Sequence, residues 1–250
     1  MLSKFTMELA TEKEDFILYN KAIILQSILM QEINQEYAAD LHISGLHPYS
    51  QAIYQQDEKN IWTVYTTNLQ AYEFIIKPLK DSCFTSFYME NNQCKVKIIN
   101  KKEETIEKDK FIDKYYFEQS ERYFHIKFRT PSAFKSQGKY IFYPALSFIY
   151  QSLINKFDAS SENMKLKSEE VLQQLTEYSE IVQYQLKSIF YCIGKNKIPA
   201  FIGQITVKVN GPQLMVNFAN LLFRFGEYSG IGIKTAMGMG NIKLLERDKK

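Results

Sequence analysis

Three histidines and one glycine-rich stretch carry the clearest chemical potential in this chain. An imidazole with an ordinary pKa near 6.5 is the side chain best suited to giving and taking protons at neutral pH, and the chain holds His42, His47 and His125. Five of its ten glycines fall between residues 226 and 240, in Gly-Glu-Tyr-Ser-Gly-Ile-Gly-Ile-Lys-Thr-Ala-Met-Gly-Met-Gly. Glycine adopts positive φ without strain and lets a polyanion approach backbone amides with no Cβ in the way. Lys234 adds a positive charge inside the same stretch. A phosphate-bearing ligand suits that combination. A turn that only packs a helix against the last strand explains the glycines equally well on their number alone.

Familiar phosphate signatures do not fit. A Walker A loop requires Gly-Lys-Ser/Thr, and Ile233 separates Gly232 from Lys234. The dinucleotide fingerprint requires a third glycine where Thr235 stands, and it belongs early in a βαβ unit, not beside the last strand. A metal-dependent nuclease needs clustered carboxylates and histidines, and no Asp-x-Asp, His-x-x-x-His or His-Asp pair is present. The three cysteines, Cys83, Cys94 and Cys192, form no Cys-x-x-Cys pair. Neither a thiolate zinc site nor a disulfide framework is indicated, and a reducing cytoplasm is expected.

The elements that must position these residues can be read from periodicity. Lys4 to Ala10 alternates as a weak strand. Thr11 and Glu14 form a capping box ahead of a helix whose stripe is Leu18, Ala22, Leu25, Leu29 and Ile33. A short second helix covers Tyr37 to Leu41, and Gly45 and Pro48 mark Ile43 to Gln51 as a loop. Ile61 to Thr66 is a strand, Leu69 to Leu79 a helix, and Cys83 to Ile99 holds two strands about Asn91-Asn92. Dense mixed charge between Asn100 and Asp113 predicts a solvated linker or exposed hairpin, with the domain boundary beside it.

The second half repeats the plan. Tyr123 to Thr130 alternates, with Phe124, Ile126 and Phe128 on one side and Tyr123, His125, Lys127 and Arg129 on the other. Tyr140 to Tyr143 is a strand, and Leu146, Ile149, Tyr150, Leu153, Ile154 and Phe157 make a helical stripe. Val182 to Ile193 and Phe201 to Val209 pair as a hairpin. Gln213 to Phe225 is a helix behind Gly211-Pro212, and Ile242 to Leu245 closes as a strand. Strand, helix, two strands, helix, strand is the split βαβ order, met twice. The expected class is α+β: two tandem ferredoxin-like (RRM-like) domains, residues 1–113 and 114–250, each an antiparallel sheet with helices on one face.

Composition narrows the partners. A charge of +3 from 31 basic and 28 acidic residues is too small to announce a nucleic-acid binder, so any basic surface must be local. The 18 Phe and 17 Tyr fill cores in the main, with some able to stack on unpaired bases. No apolar run approaches the roughly 20 residues needed to cross a bilayer, and the amino terminus lacks the charged and apolar regions of a signal peptide. A soluble cytoplasmic protein is expected.

The stretch from Phe225 to Gly240 resembles the glycine-rich loop of the repeat-associated RNA-binding superfamily of CRISPR systems. Within it the chain is similar to the repeat-processing endoribonucleases, the sixth Cas family, above all the type III-A members. Ala39-Asp-Leu-His42 after the first helices, Pro48-Tyr-Ser50, Thr130-Pro-Ser-Ala-Phe-Lys135, Lys187-Ser188, Lys197-Ile-Pro-Ala-Phe-Ile-Gly203 and Gly211-Pro212 follow in order. The match thus runs from about residue 37 to 245. The resemblance implies cleavage of precursor CRISPR RNA within its repeats, without a metal or other cofactor. The ribose 2′-hydroxyl attacks the adjacent phosphate, leaving a 2′,3′-cyclic phosphate and a 5′-hydroxyl. It places the catalytic histidine at His42 and makes His47, near where relatives carry a lysine, a second proton donor or a phosphate contact. Some relatives use a first-helix Tyr as a third group, but Met30 stands near that position and transfers no proton. His125 reads as structural or as a peripheral RNA contact. RNA contacts are expected from Lys135, Lys139, Lys197, Gly230, Gly232, Lys234, Thr235, Gly238 and Gly240. Further expectations are a monomer or homodimer, transient association with a type III effector complex, and no membrane. The rival reading is a non-catalytic RNA-binding subunit of such a complex.

Overall fold

A computed structural model of the chain describes residues 1–12, 16–43, 45–89, 94–161 and 164–246. The first domain opens with β1 (Leu2–Thr11), whose alternate residues Phe5, Met7 and Leu9 are buried. A 3₁₀ turn (Tyr19–Lys21) leads into α1 (Ala22–Glu32), which buries Ala22, Leu25, Ile28 and Leu29 on one stripe. Next come α2 (Gln35–Ile43), β2 (Tyr49–Gln56) and β3 (Lys59–Thr66). α3 (Leu69–Ala71) and α4 (Lys77–Lys80) are joined by a π-helical stretch, Tyr72–Ile76. β4 (Ser86–Met89) and β5 (Cys94–Ile106) finish the sheet, whose order is β2-β3-β1-β5-β4, antiparallel throughout.

The second domain is joined by α5 (Lys108–Ile112) and a π turn, Asp113–Phe117. β6 (Tyr123–Ser132) follows, then the small hairpin β7 (Phe134–Ser136) and β8 (Lys139–Ile141). α6 (Leu146–Ala159), α7 (Glu169–Tyr178), β9 (Ser179–Ile193), β10 (Asn196–Val209), α8 (Gln213–Ser229) and β11 (Ile242–Leu245) complete it. The sheet order is β11-β6-β10-β9, again antiparallel. Reading the four shared strands of each domain in chain order gives 4-1-3-2 in both, the ferredoxin-like arrangement. Phe124, Ile126 and Phe128 of β6 face Ile149, Leu153 and Phe157 of α6 and Leu222 and Phe223 of α8 in one core. Phe5, Met7, Leu25, Leu29, Trp62, Val64 and Ile76 form the other. Among the described residues no helix is long and apolar enough to cross a membrane.

Several expectations need correcting. Tyr49 to Gln51, read as loop, begin β2, because β3 offers an open edge along its whole length. Residues 100–106 are not a linker; they are strand β5, paired to β1 from Ile106 back to Val96. Their charges are compatible with a strand because they are paired: Lys4 of β1 meets Glu104 across the sheet, and Lys80 of α4 reaches half-buried Glu103. The division expected at 113/114 falls in the π turn that follows α5, whose Phe111 and Ile112 pack into the second core. α2 extends beyond the predicted span because Asn34 caps it, Oδ1 accepting from the amides of Glu36 and Tyr37 at 2.9 and 3.1 Å. Glu14 of the proposed capping box and the Asn91-Asn92 turn lie outside the described residues.

Candidate active site

The glycine stretch is an interlocked loop. Gly230, Gly232, Gly238 and Gly240 all have positive φ, between 63° and 90°, and so does Lys234 at 56°. Its two ends cross: the Ile231 amide donates to the Gly240 carbonyl at 2.9 Å, and a Cβ on Gly240 would lie 2.0 Å from the Ile231 oxygen. The Gly232 amide donates to Ser152 Oγ on α6 at 2.8 Å, the Ile233 amide to the Ala133 carbonyl at 3.0 Å and the Gly240 amide to Pro131 at 2.9 Å. Met237 and Met239 both donate to the Lys234 carbonyl, at 2.9 and 3.2 Å, which holds this non-glycine residue in its left-handed conformation. Lys234 is the exposed point of the loop, whereas Gly230, Gly238, Gly240 and Thr235 are buried.

The reading of these glycines as an open cradle of amides is narrowed accordingly. The amides of Gly230, Gly232, Gly238 and Gly240 are each donated inside the fold. Three of these four residues are also out of reach of a ligand. What they supply is shape, and the shape presents Lys234.

The same loop is the joint to the first domain. Gln51, on β2, donates from Nε2 to the carbonyls of Ala22 at 3.1 Å and Ala236 at 2.8 Å, while its Oε1 accepts from Trp62 Nε1 at 2.8 Å. Ser50 Oγ donates to the Tyr228 carbonyl at 2.6 Å. Ala22, at the start of α1, abuts Gly238 so closely that a Cβ there would fall 2.2 Å from its own. Pro48 is fixed from the other side, its carbonyl accepting from both Thr67 N and Oγ1 at 2.9 and 3.1 Å. His47 immediately precedes these anchors, so the stitching of β2 to the loop is what sets its position.

His42 lies in the last turn of α2, exposed, and His47 is half-buried with its ring centroid 5.7 Å from that of Tyr49. Burial pushes the His47 pKa below its ordinary value, and the positive charges of His42, Lys234 and Lys156 push it the same way. Two histidines of the first domain and a lysine of the second thus share one electrostatic neighbourhood. His125 is elsewhere, on β6, its Nδ1 3.0 Å from Thr206 Oγ1 on β10. Lys135 is exposed on β7, next to the strand residue Phe134 that borders Gly232. Lys197 and Lys139 are exposed on the β9–β10 and β7–β8 hairpins, and Tyr191 of β9 reaches the loop by donating its hydroxyl to the Met237 carbonyl.

Sequence reasoning gave no role to three residues that build this site, Gln51, Ser50 and Lys156. Gln51 and Ser50 were hidden in an unrecognised strand. Lys156 is 8% exposed and donates to the carbonyls of Ser229 and Gly230 and to Thr235 Oγ1. Its signal was available: it continues the Ile149–Leu153 stripe of α6 at the next three-residue step. Tyr37 is also buried, stacked on Phe74 at 4.8 Å, with no hydrogen-bond partner for its hydroxyl and a pKa raised to about 12 by burial, by Tyr49 and by Asp40. Met30 packs against the first core. Among the described residues there is no group of three or more His, Cys, Asp or Glu side chains placed to hold a metal.

Residues 126–242 match the family model of the CRISPR-associated endoribonuclease Cas6. A curated Cas6 endoribonuclease of Streptococcus thermophilus is 33% identical over 226 residues, 90% of this chain and 92% of that one. One of Mycobacterium tuberculosis is 28% identical over 221 residues, 88% and 70% of the two chains. Among solved structures, a Cas6 product complex superposes with a TM-score of 0.78 at 15% identity, covering 98% of this chain and 99% of that chain. A Thermus thermophilus Cas6 gives 0.69 at 20% identity over 98% of both. These structural likenesses speak for the fold.

Proposed function

Since this chain belongs to the family of the CRISPR-associated endoribonuclease Cas6, we propose that it cuts precursor CRISPR RNA within its repeats, with no metal ion. The relatives matched are named CRISPR-associated endoribonucleases, and solved relatives are described as product and substrate-mimic complexes. The observation that carries the reading for this chain is the joint at which Ser50 and Gln51, just after His47, bond to Tyr228 and to Ala236 of the loop that presents Lys234, with His42 and Lys234 both acting on the His47 ring.

In the proposed reaction the 2′-oxygen at the cut site forms a bond to phosphorus as the P–O5′ bond breaks. One imidazole takes the 2′-hydroxyl proton and the other delivers a proton to the departing 5′-oxygen, giving a 2′,3′-cyclic phosphate and a 5′-hydroxyl. His47, whose surroundings favour the neutral ring, suits the accepting role, and exposed His42 the donating one. Lys234 faces the extra negative charge that builds on the phosphoryl oxygens. Gly232, Lys135 and Lys197 extend the RNA surface from the same side, while Gly230, Thr235, Gly238 and Gly240 shape the loop. Contacts of that sort supply affinity and register, and specificity comes from the repeat's shape or its unpaired bases.

The test incubates the purified chain with a labelled repeat transcript in EDTA. One discrete cut ending in a cyclic phosphate is expected, and none on a transcript whose cut-site nucleotide lacks its 2′-hydroxyl. Cleavage of the deoxy substrate would remove the mechanism; tight binding with no cut would favour a non-catalytic RNA-binding subunit. Lys234→Ala should weaken binding a few-fold and lower the salt slope by about one.

A further inference from the structure

Lys156 is a buried lysine that the reaction above does not use. It sits on α6 one turn beyond Ser152, and both side chains reach the glycine loop from below: Ser152 Oγ at the Gly232 amide, Lys156 Nζ at the Ser229 and Gly230 carbonyls and Thr235 Oγ1, 3.2, 3.1 and 3.3 Å away. Ser229 and Gly230 are the last residue and the cap of α8. A helix ends in unpaired carbonyls and a partial negative charge, so a cation there meets both needs at once. Thr235 opens the 3₁₀ turn that follows Lys234. One ammonium group therefore ties the point where the loop leaves α8 to the point just past its exposed lysine.

We propose that Lys156 is a positioning residue for RNA cleavage: its buried amino group clamps the base of the glycine loop to which Ser50 and Gln51, just after His47, are tied, and as an ammonium it adds positive charge to the surroundings of His47. The proposal rests on the functional reading above and adds to it a residue that touches neither RNA nor the reacting atoms.

The two carbonyls take N–H bonds from either form of the amine, and the Thr235 hydroxyl accepts from the ammonium or donates to the neutral amine. Burial pushes the Lys156 pKa down to about 7, so the ammonium prevails at the acid pH where His47, lowered below its ordinary value, takes up its proton. The groups that act on His47 include His42 from α2, Lys234 from the loop and Lys156 from α6, and all three are cationic when protonated. Lys156 differs from the other two in being closed off from solvent. Bound RNA and salt can screen His42 and Lys234, whereas the buried charge of protonated Lys156 is screened far less.

The experiment compares wild type with Lys156→Met and Lys156→Gln, reading the His47 titration by NMR in the free protein and single-turnover cleavage against pH. Gln keeps a donor for the loop carbonyls and loses the charge. The expected result is an upward shift of the His47 midpoint in both variants. The acid limb of cleavage should move the same way, and the plateau rate should fall about ten- to hundredfold in Lys156→Met and less in Lys156→Gln. If Lys156→Met does not fold, Lys156→Gln alone decides. A folded variant whose His47 titrates as in wild type overturns the proposal, even if its cleavage is slow, since the lysine would then only fill space. Should the wild type cut no repeat RNA, the functional reading fails, and the titration still tells whether Lys156 acts on His47.

Discussion

The segment around His42 to His47 and the loop from Gly230 to Asn241 meet at one site and are built in opposite ways. His42 is exposed, Ile43 is 86% exposed and Leu46 is exposed too; the segment is fastened at its far end, where Pro48, Ser50 and Gln51 are held. The glycine loop is mostly buried, and its amides and carbonyls are bonded to each other, to Ser152 and to Lys156. In the proposed reaction the groups that exchange protons stand where water and substrate enter, and the charges that meet the phosphate stand on a scaffold that does not have to reorganise, which is where preorganised electrostatics is worth most.

That contrast is broken most directly at His42. His42→Ala should lower single-turnover cleavage by about 10²–10⁴-fold while leaving repeat binding within a few-fold. Because the side chain is exposed, stability should change by no more than about 0.5 kcal/mol. Thermal melts beside a cleavage time course measure both. A variant that cuts at the wild-type rate, or one that unfolds, would show that the open segment does not carry the chemistry in the way described.

Gly238→Ala strikes the other segment and should leave the opposite signature. Its φ is +90°, and the new Cβ would meet the Cβ of Ala22 at 2.2 Å across the domain joint. Left-handed strain of about 1–2 kcal/mol and overpacking of about 1–3 kcal/mol both apply. Urea unfolding should show a loss of about 2–5 kcal/mol, with cleavage falling because the joint between β2 and the loop of Lys234 is pried open. Unchanged stability would mean that the loop is looser than its hydrogen bonds imply.

How much of this could be read from the residues alone follows the same divide. Much of the second domain was legible, because the alternation of β6 and the stripe of α6 are both one-sided patterns that a core imposes, whereas α7 and the short strand β7 went unread. The residues of the candidate site were nameable as well, His42, His47 and Lys234 among them. What joined them was not. β2 was masked by Gly45 and Pro48, whose turn chemistry dominates a short window. The charges of β5 looked like a linker because their partners, Lys4 and Lys80, lie far away in sequence. Lys156 and the loop carbonyl of Gly230 are 74 positions apart. Whether a glycine amide faces a ligand or a neighbouring carbonyl is likewise decided by long-range packing, which periodicity does not report.

The pH dependence sharpens the comparison on a smaller scale. His47 must be neutral to accept a proton, and its pKa is lowered, first by burial and then by His42, Lys234 and Lys156. The active form is therefore dominant at neutral pH and is lost as pH falls through that lowered value. kcat/KM, which reports the free enzyme, should fall about tenfold per unit below its acid limb, with the limb under the ordinary imidazole value of about 6.5. Under saturating RNA the limb should lie higher, because a phosphate placed beside His47 offsets part of the positive charge acting on it. Rates flat from pH 5 to 9 would exclude a histidine pair.

The smallest effect belongs to a glycine outside the joint. Gly138 sits in the β7–β8 turn with φ +80°, close to the +90° of Gly238, yet nothing lies within 4 Å of where its Cβ would be. Gly138→Ala incurs the conformational strain alone, about 1 kcal/mol. A melting temperature only slightly lowered and cleavage indistinguishable from wild type are expected, although the turn joins Lys135 to Lys139 and faces the same solvent as Lys234. The difference between the two alanine variants then isolates the steric part of the Gly238 effect. If both lose the same stability, positive φ accounts for the whole, and the close approach of Ala22 to the glycine loop contributes nothing to holding the two domains in register.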